Sequence, residues 1–194
     1  PEDTPGFARK IHVEASRMIQ LVNDILQLSH LDNVSETGAA PAMETVDLLD
    51  VARECVERQK VNARHSYISL TYLGESAPVT GSRVLLDELC QNLCDNAIRY
   101  NRPGGKVQII TACTRDGHCT LTVKDNGIGI PKEAQASVFE RFYRVDKSRS
   151  KATGGTGLGL AIVKHIARIH NARIKLDSVV DEGTTITVIF ETAS

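Results

Sequence analysis

The sequence predicts an α+β protein, in which a long helix precedes a domain of shorter helices and paired strands. Between residues 4 and 31, apolar side chains recur every three or four positions, which is the period of a helix. Farther along, alternating apolar residues flank turns at 116–117 and 181–183, the pattern of β-hairpins. Helices and hairpins together in one chain favour a mixed class over an all-helical or an all-strand protein.

The composition is that of an ordinary globular protein and limits what the chain can do. It has 194 residues, of which 41% are apolar and 24% charged. The net charge of -1 offers no general attraction to nucleic acid or to an anionic membrane, so no nucleic-acid partner is expected. No apolar stretch approaches the roughly 18 residues of a membrane span, and we expect no signal peptide.

The five cysteines lack the spacing of a metal or redox motif. No CxxC pair occurs, and Cys90 and Cys94 lie one helical turn apart in an apolar pattern. We therefore expect buried, reduced thiols and a cytosolic compartment. The six histidines are scattered without metal-ligand spacing, so no zinc site is expected.

The long N-terminal helix carries a heptad seam, formed by Ile11, Ala15, Met18, Val22 and Ile25. Such a helix needs a helical partner, and no second heptad helix of similar length follows. We infer that the partner is missing or belongs to another copy of the chain; the alternative is a helix folded back on the next domain. Small and polar residues at 32–43 predict a linker, with a domain boundary near residue 40.

Beyond the linker, periodicity and turn residues predict one compact arrangement of alternating helices and strands. The predicted elements are a short strand from 44, a helix over 48–61, a strand at 67–73, a short strand at 79–80, a helix over 83–100 capped by Ser82, a hairpin of 107–114 and 119–124, a helix over 158–170, and a closing hairpin of 174–179 and 184–190.

The helix over 83–100 has an unusual polar face. Glu88, Asn92 and Asn96 stack one turn apart, although asparagine is a mediocre helix former. Their oxygens could hold Mg²⁺, which takes few protein ligands when phosphate and water supply the rest. From spacing alone, an ordinary polar face explains these residues equally well.

Two glycine runs, at 125–130 and 154–160, hold six of the 14 glycines. Glycine permits close backbone approach to a ligand, and the second run leads into a helix, where free N–H groups attract anions. The segment between the runs is basic, with Arg141, Arg144, Lys147, Arg149 and Lys151 against the single acid Asp146. The pattern indicates a polyphosphate ligand. The P-loop and dinucleotide spacings are absent.

Four motifs in fixed order resemble the ATP-binding catalytic domain of bacterial sensor histidine kinases, within the wider gyrase, chaperone and mismatch-repair ATPase superfamily. They are the N box at 92–100, the G1 box at 125–129, the F box at 139–144 and the G2 box at 155–160. The resemblance covers residues 44–191. The helix over 7–32 looks like the second helix of that family's dimerisation and phosphotransfer hairpin.

The resemblance implies a two-layer α/β sandwich, with a mixed, mostly antiparallel sheet on three helices. It implies three parts: a hairpin helix at 1–32, a linker at 33–43 and an ATP-binding domain at 44–194.

The resemblance also implies ATP and Mg²⁺ as cofactors, with Asn92 and Asn96 as metal ligands and Glu88 as a helper through water. Asp125 would accept a hydrogen bond from the exocyclic amine of adenine, at the position where guanine has a carbonyl. The implied nucleotide-binding residues are Asn92, Asn96, Arg99, Tyr100, Asp125, Gly127, Gly129, Ile130, Lys147, Gly155, Thr156, Gly157, Leu158, Gly159 and Leu160.

For the chemistry, the resemblance implies that Arg144, and less directly Arg141 or Lys147, neutralises charge on the transferring phosphoryl group, with Glu88 as a further catalytic candidate. Phe139, Phe142 and Tyr143 would fasten a lid to the core. For Arg99, Tyr100 and Lys124, a structural role and nucleotide contact remain equally open. We expect disorder between 147 and 153 without nucleotide, because small polar residues and repelling cations offer no core contacts.

Two features depart from the family pattern. The family's phosphoacceptor is a histidine followed by an acid, but His12 precedes Val13 and His30 precedes Leu31. We therefore expect a kinase fragment that does not phosphorylate itself. It would be the cytoplasmic, soluble portion of a membrane-anchored, homodimeric sensor, acting on a histidine helix and relaying to a response regulator receiver domain. Residues 170–172 also lack two usual glycines, which predicts a changed turn. The alternatives are an ATPase clamp of the gyrase type and a degenerate kinase that only binds nucleotide.

Overall fold

The computed structural model describes residues 4–37, 41–145 and 155–191. Its helices are α1 (Thr4–Thr37), α2 (Leu48–His65), α3 (Arg83–Arg99), α4 (Lys132–Gln135) and α5 (Gly159–Ile169). Its strands are β1 (Glu44–Asp47), β2 (Ser69–Gly74), β3 (Pro78–Gly81), β4 (Lys106–Cys113), β5 (His118–Asp125), β6 (Arg173–Val179) and β7 (Gly183–Glu191). Helix α1 therefore continues through residues 33–37, which the sequence analysis had assigned to a linker. Helix α4 was not predicted.

The main sheet has five strands in the order β2-β4-β5-β7-β6. Only β2 and β4 run parallel, and the other three pairs are antiparallel. Strands β1 and β3 form a separate two-stranded sheet. The predicted mixed, mostly antiparallel α+β fold is thus confirmed.

The core lies between one face of this sheet and helices α2, α3 and α5. Alternate residues of the central strands, such as Ile109, Leu121 and Val188, are at most 1% exposed, because successive side chains of a strand point to opposite faces. Leu89 of α3 and Ile162 of α5 are completely buried against them. This packing fixes the position of α3, which carries the N box. It also fixes the position of α5, which begins within the G2 box.

Helix α1 packs against the domain, but not through its heptad seam. Leu28 and Leu31 are 4% and 1% exposed, whereas Met18 and Val22 of the seam are 66% and 53% exposed. The buried stripe that includes Leu28 and Leu31 lies about 120° from the heptad seam around the helix. The structure therefore shows the folded-back alternative and leaves the seam uncovered.

The expectation of five reduced thiols is wrong for one pair. Cys113 and Cys119 form a disulfide across the β4–β5 hairpin, where the strand register places them directly opposite each other. A separation of six residues resembles no redox motif, so only the register reveals the pairing. Cys55, Cys90 and Cys94 are free and buried, as expected. A hydrogen bond with Cys55, together with burial, raises the pKa of the Cys90 thiol and of the Cys94 thiol.

The turn after α5 forms without the two glycines that the family usually has there. Asn171 itself adopts the left-handed conformation, with φ of 50°. The preceding His170 donates from Nδ1 to the Ile166 carbonyl at 2.8 Å, and its Nε2 accepts from the Ser82 backbone N–H at 3.0 Å. Burial lowers the pKa of His170. Ser82 precedes α3, but its side chain makes no capping bond, so His170 anchors the start of this helix instead.

Among the described helices, none is both long and apolar enough to cross a membrane.

Candidate active site

A cavity of about 1060 Å³ lies between α3, the loop after β5, the F and G2 boxes and α1. Most of the predicted site residues line it: Asn92, Asn96, Arg99, Tyr100, Asp125, Gly129, Ile130, Arg144, Gly155, Thr156, Gly157, Gly159 and Leu160. Glu88, Gly127, Leu158 and Arg141 are described but do not line it. Lys147 and the segment of predicted disorder lie outside the described residues.

One end of the cavity is organised around Asp125, the last residue of β5. Its Oδ1 accepts hydrogen bonds from the backbone N–H groups of Gly127, at 2.8 Å, and of Thr184, at 3.3 Å. Within the described part of the chain, no hydrogen bond engages the second oxygen, Oδ2, which can therefore accept from a ligand donor. Burial raises the pKa of Asp125, and the two backbone bonds oppose that shift. We call this region the Asp125 end.

The loop after Asp125 is held by backbone contacts to the β6–β7 hairpin and to the end of α3. Gly129 has φ of 68°, and a Cβ there would lie 2.0 Å from the Val179 carbonyl oxygen, so a side chain is excluded. The Ile128 N–H donates to the Tyr100 carbonyl at 3.1 Å, and Asp181 N–H donates to the Ile128 carbonyl at 2.9 Å. Two separate parts of the chain therefore fix this loop.

The N-box asparagines meet the G2 box at the start of α5. Asn92 Nδ2 donates to the Glu88 backbone carbonyl at 3.0 Å, and none of the described residues donates a hydrogen bond to Asn92 Oδ1. A methyl group at Gly159 would lie 3.1 Å from Asn92 Oδ1 and 3.4 Å from Asn96 Nδ2. The glycine thus leaves a cradle between the asparagines and the helix start. An amide oxygen facing such a cradle suits Mg²⁺ held together with phosphate and water.

The G2 box is held by the F box and by α1. The Phe142 N–H donates to the Gly157 carbonyl at 3.0 Å, and Gly157 has φ of 77°. Thr156 Oγ1 donates to Asp24 of α1 at 2.6 Å, while the Leu158 side chain is completely buried. This loop therefore depends on two segments that are distant in the sequence.

Two F-box expectations need correction. Phe142 was expected to fasten the lid to the core, but its side chain is 59% exposed, and only its backbone N–H makes a connection, to the G2 box. Its φ of 62° lies in the left-handed region, which is uncommon for a residue other than glycine. Arg141 points to α1, where it forms two hydrogen bonds with Asp32, at 2.7 and 2.9 Å, and not to the cavity. Of the residues left open, Arg99 and Tyr100 line the cavity and Lys124 does not.

Glu88 lies just behind the asparagines and has an unusual environment. Burial raises its pKa to about 7, a hydrogen bond from Gln27 lowers it, and the nearby carboxylate of Asp24 raises it further. Its Oε1 atom is buried and accepts no hydrogen bond from the described residues. A carboxyl of this kind can change protonation near neutral pH.

Helix α1 supplies lining residues that the sequence analysis missed. Gln20 and Asp24 both line the cavity, and Asp24 is only 6% exposed. We call this region the Asp24 end. A signal existed in the sequence, since Arg17, Leu21, Asp24, Leu28 and Leu31 form a second stripe at heptad spacing. Thr184 of β7 and Asn62 of α2 were also missed.

Comparison with known proteins supports this picture. Residues 81–194 match the family model of histidine kinase-, DNA gyrase B- and HSP90-like ATPases. The chain belongs to this ATPase family. Within the family, it is 44% identical over 193 residues to the sensor-like histidine kinase SenX3 of Mycolicibacterium smegmatis, which covers 97% of this chain and 48% of SenX3. The chain thus spans about half the length of that relative.

Solved structures of family members share the fold. The mycobacterial sensor histidine kinase MprB is 32% identical, with a TM-score of 0.67 over 77% of this chain and 97% of MprB. Full-length ShkA in complex with AMPPNP is 22% identical, with a TM-score of 0.77 over 100% of this chain and 40% of ShkA. The resemblance to the catalytic domains of sensor histidine kinases is confirmed.

Proposed function

We propose that this chain is the ATP-binding catalytic part of a sensor histidine kinase, which transfers the γ-phosphoryl group of Mg-ATP to a histidine on another helix. The observation that carries the proposal is the convergence of Asp125, the two N-box asparagines and the G2 box on one cavity. Its volume of about 1060 Å³ is ample for a nucleotide. The ShkA structure is described as a complex with AMPPNP, an ATP analogue, which is consistent with this assignment.

At the Asp125 end, the free carboxylate oxygen would accept the exocyclic amine of adenine. Both bonds to the other oxygen come from backbone N–H groups, so the carboxylate is already oriented before ligand arrives. Guanine carries a carbonyl at the equivalent position, and two facing acceptors repel. The site should therefore prefer ATP to GTP.

At the cradle beside Gly159, Asn92 and Asn96 would hold Mg²⁺, and Glu88 would assist through water. Bound Mg²⁺ would neutralise phosphate charge. The N–H groups of the G2 box would bind the phosphates at the start of α5, where the helix dipole also favours an anion. Arg99 and Arg144 line the same region and would stabilise negative charge on the transferring group.

The acceptor histidine would come from a different helix. None of the six histidines of this chain precedes an acid, the arrangement expected of a phosphoacceptor. We therefore propose that the chain does not phosphorylate itself. The complete kinase would be a membrane-anchored homodimer that passes the phosphoryl group to an aspartate of a response regulator.

The test combines binding with transfer. Calorimetry should show Mg-dependent ATP binding, and labelled ATP should phosphorylate an added hairpin that carries the acceptor histidine. Release of free phosphate without transfer to that hairpin would indicate an ATPase clamp. Binding without either reaction would indicate a degenerate kinase. Absence of ATP binding would overturn the assignment of the cavity.

A further inference from the structure

Asp24 is an acidic residue of α1 that lies in the cavity expected to hold a polyphosphate. The residue is 6% exposed and lines this cavity together with the N-box asparagines and Gly159. Gln20 Nε2 donates to Asp24 Oδ1 at 2.7 Å, and Thr156 Oγ1 donates to Oδ2 at 2.6 Å. Within the described part of the chain, no cation forms an ion pair with Asp24. Because a buried carboxylate with only neutral donors is costly, stability alone does not explain this position.

The Thr156 hydroxyl links Asp24 to the G2 box. It donates its single proton to Asp24 and accepts a hydrogen bond from the Leu158 backbone N–H at 3.3 Å. A hydroxyl whose proton is used in this way cannot also donate to a phosphate. The Leu158 N–H is engaged within the loop at the same time. Two donors with which the G2 box would hold an anion are therefore occupied while α1 is docked.

The Asp24 carboxylate takes a position that suits a phosphate group. Thr156 lies three residues before Gly159, the first residue of α5, and the start of a helix attracts negative charge. The distance of 2.6 Å between Thr156 Oγ1 and Asp24 Oδ2 is typical of a hydroxyl bound to an ionised oxygen. A phosphate oxygen would accept the same bond from the same hydroxyl. Asp24 therefore resembles a bound phosphate in both its charge and its hydrogen bond.

Docking of α1 does not depend on Asp24 alone. Leu28 and Leu31 are buried against the domain, and Asp32 forms two hydrogen bonds with Arg141. These contacts, on the two helical turns that follow, hold Asp24 beside the G2 box. A phosphate group that approached this loop would meet a fixed negative charge, and like charges repel.

We propose that the Asp24 carboxylate of the docked helix competes with the phosphate groups of ATP for the G2 box. ATP must displace this carboxylate from Thr156, by moving the side chain or by releasing α1, before its phosphates bind there. Docking of α1 and binding of the phosphates therefore oppose each other. This inference rests on the proposed function and adds a regulatory residue to it, one that lies outside the matched family region of residues 81–194.

The test compares the dissociation constants of ATP, ADP and adenosine in buffer with Mg²⁺, measured by calorimetry on the full chain. Asp24→Asn keeps the size of the side chain and removes its charge. It should raise ATP affinity about tenfold and ADP affinity by a smaller factor, because the repulsion grows with the number of phosphate groups. Adenosine carries no phosphate, so its affinity should stay the same.

The matched control is Asp50→Asn. Asp50 is an exposed acid of α2 that pairs with Arg53, and neither residue lines the cavity. The control removes the same charge from the chain at a distance from the G2 box. It should leave the affinities for all three compounds unchanged.

A second variant tests docking without changing any charge. Leu28→Gln places a polar group in the apolar contact between α1 and the domain, so it should release the helix. ATP affinity should then rise about as much as it does in Asp24→Asn. Combining the two substitutions should give no further gain, because a released helix no longer holds Asp24 at the G2 box. Thermal unfolding verifies that each variant is folded.

The inference is overturned if Asp24→Asn leaves ATP affinity unchanged or lowers it, if adenosine gains as much affinity as ATP, or if Asp50→Asn gives the same gain. It is also overturned if the effects of Asp24→Asn and Leu28→Gln add. When the chain binds ATP, these outcomes leave the proposed function standing. If neither the unaltered chain nor Asp24→Asn binds ATP, both proposals fail.

Discussion

The Asp125 end and the Asp24 end of the cavity are held together by different kinds of contact. Around Asp125, backbone groups of β5, β7, α3 and the β6–β7 hairpin make the bonds. Around Asp24, the contacts are mostly between side chains of segments distant in the sequence, such as Thr156 with Asp24 and Arg141 with Asp32. Because backbone bonds within a packed domain persist, while contacts between side chains of separate segments break more easily, we expect a rigid base site and an adjustable phosphate site.

The largest effect should come from the rigid end. Asp125→Asn replaces a free acceptor oxygen with an N–H donor that faces the adenine amine, while the bonds to Gly127 and Thr184 remain possible. We expect ATP affinity to fall about 100-fold, or about 2.7 kcal/mol. Calorimetry measures the affinity, and thermal unfolding verifies that the variant is folded. A loss of less than threefold would mean that Asp125 does not contact the base.

A smaller effect, about tenfold, is expected from Asn92→Ala, because one of several metal-associated oxygens is lost. The tenfold loss of ATP affinity should appear in buffer that contains Mg²⁺. In buffer with EDTA, which serves as the internal control, the loss should be less than twofold. An equal loss in both buffers would show that Asn92 supports α3 and does not bind the metal.

A third and smaller effect is expected in the pH dependence of the free energy of unfolding. The pKa of Glu88 rises from 4.5 to about 7 on folding, so the folded chain keeps a proton that the unfolded chain loses. Its contribution to stability therefore decreases as pH rises from about 4.5 to about 7. Glu88→Gln should remove this dependence.

The measurement is the melting temperature, which should fall about 3 °C more for the unaltered chain than for Glu88→Gln between pH 5 and pH 8. Parallel curves for the two proteins would contradict the assigned environment of Glu88. Asp24 and Gln27 of α1 are the groups that act on Glu88, so the result also reports on docking.

The smallest effect should follow loss of the exposed ion pair between α1 and the F box. Arg141 and Asp32 are 50% and 34% exposed, so Arg141→Ala should cost only about 0.5 kcal/mol of stability. ATP affinity should change less than twofold, since Arg141 does not line the cavity. Chemical denaturation and calorimetry provide the two values. A tenfold loss of ATP affinity would show that Arg141 contacts the phosphates of ATP.

Much of the fold could be predicted because it depends on local periodicity. The alternating strands and the helix over residues 83–100 follow from side-chain spacing alone, and their ends differ from the structure by only a few residues. The disulfide between Cys113 and Cys119 could not be predicted, since it depends on the hairpin register. The direction of Arg141 depended on the position of a helix more than 100 residues earlier, which no local pattern reports.

The sequence by itself determined the α+β class, the order of the elements and the four motifs of the ATPase family, because glycine placement and apolar periodicity act over a few residues. Only the tertiary structure decided which face of α1 meets the domain. That choice depends on the fit of Leu28 and Leu31 and on the partners of Asp24 and Asp32, all of which lie far away along the chain. The Asp24 end therefore exists only in the folded protein, because its charges come together only when α1 docks.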